Sequence, residues 1–105
     1  MTEKQAIKET KAHWRRMIKW AKKQDTDVDV DSNDMYRAIG EYWVGDFCPL
    51  CVLVEEKCYN CILFNKFGKC SGNSGNLWVT VGLSITWGEW VINAERFYKE
   101  QLCKL

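Results

Sequence analysis

Two C-x-x-C pairs, Cys48/Cys51 and Cys58/Cys61, stand six residues apart in the middle of this 105-residue chain, and Cys70 follows closely. A C-x-x-C turn presents two thiolates at once, because its tight backbone aims both sulfurs inward and leaves amides free to donate to them. Two such turns can fold back on each other and close a tetrahedron around one cation. Zinc is the occupant this chemistry favours, with Zn–S bonds near about 2.3 Å, and four thiolates leave no open position for water, as in a structural site. Pro49 in the first turn and the bend at Glu55-Glu56-Lys57 suit that geometry. The linker is shorter than the ribbon spacing of about 15–20 residues. Any four of Cys48, Cys51, Cys58, Cys61 and Cys70 are therefore candidate ligands, with Cys70 able to replace Cys58 or Cys61. An iron–sulfur cluster is the alternative cofactor, although bacterial ferredoxin spacing is tighter. Cys103 falls in a C-terminal helical stretch and reads as a small core residue.

The opening Met-Thr-Glu-Lys has no apolar stretch behind it, which predicts no secretory leader. No apolar run approaches the roughly 20 residues of a membrane span. A cytoplasmic chain keeps its cysteines reduced and favours metal over disulfides; a secreted chain with three disulfides is the competing expectation.

Around the cysteines the pattern predicts helices. Ile7, Trp14, Met17, Ile18 and Ala21 recur at helical steps, so residues 1–24 form a basic amphipathic helix, regular from residue 3. Residues 25–34 hold five aspartates and read as an exposed acidic connector. From Asp25, the calcium-loop pattern fails at Val30 and Tyr36, where it needs glycine and glutamate. A second reading has these acids pair with the basic helix and mask it. Ser32, Asn33 or Asp34 is placed to cap a second helix reaching about Val44, with Gly40 weakening it. Residues 46–76 form the irregular cysteine-rich region, in which Val52-Leu53-Val54 suggests a short strand and Gly68–Asn76 a loop. Residues 77–85 are rich in β-branched side chains and are compatible with a strand or a helix start. Thr86 and Glu89 form a capping box, with Ile85 and Trp90 at the staple positions, opening a C-terminal helix over 86–105. The expected fold is a single, mainly α domain: two to three helices packed around a zinc-knuckle-like irregular centre, with room for a short β-hairpin. Six tryptophans predict an aromatic core.

Catalysis finds little to work with. His13 is the single histidine, so hydrolytic sets lack members, and Glu55-Glu56 read as a turn. The basic helix presents Arg15, Arg16, Lys19, Lys22 and Lys23, a nucleic-acid footprint in kind. The adjoining aspartates oppose that field, and the net charge is only +1.

Taken together, His13-Trp14 on an N-terminal helix, Cys48-Pro49-Leu50-Cys51, Cys58-x-x-Cys61 and Cys70 before a glycine-rich stretch resemble a loose group of small uncharacterised Cys-rich bacteriophage proteins. The likeness spans residues 10–75; no proline follows Cys61 here, and the acidic insert is longer. The resemblance implies a phage-encoded protein in a bacterial cytoplasm. A zinc-stabilised, non-enzymatic accessory protein that binds a host protein, such as a defence or gene-expression component, is the resulting expectation. A nucleic-acid-binding zinc module is the alternative, and the oligomeric state stays open.

Overall fold

The computed structural model describes residues 1–55, 57–68 and 76–105. The described chain is helical: α1 (Glu3–Ala21), α2 (Ser32–Ile39), α3 (Pro49–Leu53), α4 (Ile62–Phe67), α5 (Trp78–Gly82) and α6 (Trp87–Glu100), with 3-10 turns at Gly45–Phe47, Cys58–Asn60 and Leu102–Lys104. The mainly helical expectation holds. The hairpin does not: among the described residues the only β pairing is one antiparallel bridge, Asp29 to Thr86.

The long helices start where side chains satisfy orphan amides. Thr2 and Gln5 form a capping box ahead of α1, and Thr86 and Glu89 form the expected one ahead of α6. Asp31, one residue before the expected candidates, caps α2. That helix stops at Ile39 and falls short of Val44, because Gly40 adopts a left-handed conformation at φ +73° and closes the last turn through its amide to Tyr36. Val52 and Leu53, expected as strand, lie in α3, since Pro49 at the first helical turn fixes a helix-ready φ. Residues 78–82 resolve as helix, with Val81 fully buried. Ile85 does not staple: it is 68 % exposed, while its backbone amide donates to Glu89 and its carbonyl accepts from Val30. Residues 69–75 of the expected loop, Cys70 included, lie outside the described residues. Across them, Asn76 Nδ2 donates to the Gly68 carbonyl at 3.1 Å while its Oδ1 accepts from Trp78 N at 2.9 Å.

α1 packs against α2, α3 and α6, and α5 lies on α6. The core between α1 and α6 is aromatic. Trp14 stacks on Trp90 with 6.1 Å between centroids and meets Phe97 edge-on at 4.8 Å; Trp20 meets Trp87 edge-on at 5.0 Å. Trp43 completes the cluster against Trp87 and Trp90, and its carbonyl accepts from Trp78 Nε1 at 3.0 Å. Such ring pairs add about 0.5–1.5 kcal/mol each beyond area burial. Among the described residues, Trp90 Nε1 is a buried donor with no hydrogen-bond partner.

The acidic connector does more than solvate. Val28 accepts from Trp87 N, Thr26 accepts from Gly88 N and Val30 donates to Ile85, so the connector runs antiparallel to the entrance of α6. Gly88 makes this approach possible, since a Cβ there would meet Thr26 backbone at 3.0 Å.

Candidate metal centre

Both cysteine pairs are built on helix starts. Cys48 sits immediately before α3, with Cys51 in that helix's first turn; Cys61 occupies the same position before α4, in an extended conformation. Between them, Glu55 has a left-handed φ of 53°, and Cys58–Asn60 form a 3-10 turn.

The result is a cavity of about 310 Å³ with Cys48, Cys51 and Cys61 in its wall. Trp14, Trp78 and Phe97 supply much of the remainder, and the lining is mostly apolar. Cys48 and Cys51 are half-buried and Cys61 is buried; Cys48, Cys61 and Cys103 carry free thiols. The Cys51 thiol beside it is the largest influence on Cys48. Burial opposes it, the amides of Cys51 and Leu50 and the Thr10 hydroxyl assist, and the net effect lowers the Cys48 thiol to about 6. Thr10 Oγ1 is buried and makes no full hydrogen bond, so its effect on Cys48 is that of a nearby dipole.

These groups fit a thiophilic cation in kind: soft donors, one of them readily ionised, drawn from both C-x-x-C pairs into the wall of one mostly apolar cavity. Among the described residues, no group of three or more His, Cys, Asp or Glu side chains is close enough to hold an ion. The other two candidate ligands, Cys58 and Cys70, have side chains outside those the structure describes. Cys103 is exposed, not a core residue, because α6 has ended and a 3-10 turn carries it outward.

His13 has a different role. It is 1 % exposed, and its Nδ1 lies 3.3 Å from Glu41 Oε2, the carboxylate that Arg16 grips at 2.7 and 3.0 Å. Nothing in the sequence pattern pairs position 13 with position 41; the turn after Gly40 brings them together. Burial lowers the His13 pKa from its ordinary 6.5, outweighing the attraction of Glu41, and Arg16 adds to the lowering. Glu41 is pushed up by burial but held below its ordinary 4.5 by Arg16 and His13. The sign follows. The unfolded chain binds the His13 proton first, so stability falls as pH drops below about 6.5 and falls again below about 4.5 as Glu41 is neutralised. Urea midpoints between pH 7.5 and 5.5 should therefore decline in the native protein, and His13→Gln should flatten that decline. An equal slope in both would contradict the assignment.

The basic residues of α1 divide. Arg16 is committed to Glu41, Lys22 pairs with Glu95 at 2.6 Å, and Arg15 donates to the Tyr98 hydroxyl at 2.8 Å. Arg15, Lys19 and Lys22 nonetheless share a surface groove of about 330 Å³ with Lys99. Lys23 is exposed. Among the described residues, Asp25, Asp27, Asp29 and Asp31 form no ion pair with this helix.

No protein-family model matches the chain, and neither a curated protein nor a solved structure matches it. Among the described residues no helix is long and apolar enough to cross a membrane.

Proposed function

We propose that this chain is a zinc-stabilised, non-enzymatic accessory protein of a bacteriophage that acts in the bacterial cytoplasm by binding a host protein, a defence or gene-expression component among the natural targets. The phage setting rests on the resemblance carried by His13-Trp14 and the cysteine pattern. The observation that carries the zinc is the convergence of Cys48, Cys51 and Cys61 on one cavity, from two turns separated in sequence. Cys58 or Cys70 supplies the fourth thiolate. The non-enzymatic reading rests on the sequence, whose single histidine leaves hydrolytic sets short of members. The bound ion serves to hold α3 and α4 against α1 and α6.

A tagged, zinc-loaded copy should capture one stoichiometric host protein in the presence of nuclease. Failure to capture any, with the metal in place, would contradict host-protein binding. The second reading, nucleic-acid binding, is favoured by the groove that gathers Arg15, Lys19, Lys22 and Lys99. It requires a mobility shift that collapses with salt and disappears when Arg15, Lys19 and Lys23 become glutamate.

A further inference from the structure

Four large apolar side chains are left exposed on neighbouring backbone: Val28 at 49 %, Leu83 at 75 %, Ile85 at 68 % and Ile92 at 69 %. The segments that carry them adjoin one another. Val30 N bonds to the Ile85 carbonyl and Trp87 N to the Val28 carbonyl, which sets the connector beside the α6 entrance. Ile85 N donates to Glu89, and Asn93 Nδ2 donates to Ser84 Oγ at 2.9 Å, which lays the 83–85 strap along the α6 turn holding Ile92. Beside this strip runs a groove of about 400 Å³, with Lys22, Thr26, Trp87, Gly88, Val91 and Ile92 in its wall. Isolated exposed apolar residues are ordinary, but a contiguous strip alongside a groove marks a recognition surface.

The charges around the strip select its occupant. Asp25, Asp27 and Asp29 are exposed on the connector, and none is in an ion pair among the described residues. Glu89 is exposed on the first turn of α6, and Lys22 is neutralised by Glu95 at 2.6 Å. Lys23 is the one basic group adjoining these acids in sequence that remains to oppose them. An apolar strip edged by surplus carboxylates repels phosphates and complements lysine or arginine flanking an apolar stripe.

We propose that the surface formed by Val28, Leu83, Ile85 and Ile92, edged by Asp25, Asp27 and Asp29, docks a basic amphipathic helix of the partner protein. The inference rests on the protein-binding role proposed above and names its surface and the partner's chemistry. The helix lays its apolar stripe along the groove, as helix-in-groove complexes do, while its basic flanks meet the connector carboxylates.

The test uses the zinc-loaded 105-residue chain and two synthetic helical peptides with the same leucine stripe, one flanked by lysines and one by glutamates. Amide shifts in NMR titrations should map the lysine peptide to Thr26, Val28, Ile85, Gly88 and Ile92, with affinity falling as salt is added. Asp27→Lys with Asp29→Lys, and separately Ile85→Ser with Ile92→Ser, should each weaken binding at least tenfold while zinc content stays unchanged. Equal binding of the glutamate peptide, shifts mapped to other surfaces, or no binding overturns the proposal. So does self-association of the free protein through Ile85 and Ile92, which would give the strip to a second copy. A host protein captured equally well by the native protein and by the Ile85→Ser/Ile92→Ser variant removes this surface yet leaves protein binding intact.

Discussion

On the proposed zinc coordination, a high-affinity chelator should lower the melting temperature by roughly 15 °C or more, reversibly on adding zinc back. At free zinc about 1,000 times its Kd, the bound ion adds about 4 kcal/mol, and a domain of this length shifts by about 4–8 °C per kcal/mol. The loss should fall unevenly. α1 and α6 keep their tryptophan contacts, whereas α3 and α4 are helices of five and six residues, too short to hold without tertiary support. Amide exchange should therefore accelerate most over residues 45–68. Cys48→Ser, Cys51→Ser and Cys61→Ser should each reproduce the chelated state. Of Cys58→Ser and Cys70→Ser, one should behave the same way and the other should retain zinc, which identifies the fourth ligand. Retained metal after all five single substitutions would contradict this coordination scheme.

The second large effect belongs to Trp90. It is fully buried, stacked on Trp14 with rings 11° apart, and in contact with Trp43 and Trp87. Trp90→Ala removes the centre of that cluster and should cost about 3–5 kcal/mol, a large share of the about 5–15 kcal/mol that holds a typical domain. Trp90→Phe should cost much less than its lost volume suggests. Phenylalanine keeps a ring over Trp14 and deletes the partnerless Nε1 donor, whose burial alone costs about 1–3 kcal/mol. Thermal melts of the two variants with zinc in excess test the ordering; a phenylalanine variant as unstable as the alanine one would contradict it.

Local signals were legible in the chain, and long-range ones were not. Thr86 and Glu89 mark the start of α6 because a capping box is self-contained within four residues, and the apolar spacing of α1 is equally local. Val52-Leu53-Val54 misleads, and residues 77–85 read equally as strand or helix start, because β-propensity favours strands only weakly; burial of Leu50 and Val81 against neighbouring helices decides the matter. Proline after Cys48 was the available signal for a helix start. Thr2 with Gln5 was an equally readable capping box. No periodicity reveals that Glu41 reaches His13, or that the aspartate connector docks on Gly88, since both depend on how separate elements meet. The cysteine site is intermediate. Spacing suggests a common centre, and the structure brings Cys48, Cys51 and Cys61 to one cavity by helix caps that spacing does not foretell.

Zinc K-edge X-ray absorption on protein purified anaerobically, without chelator, reads the central claim directly. The account predicts one zinc per chain with four sulfur neighbours near about 2.3 Å and no nitrogen or oxygen shell. Metal-free protein, an iron edge, or a first shell containing light atoms would contradict it.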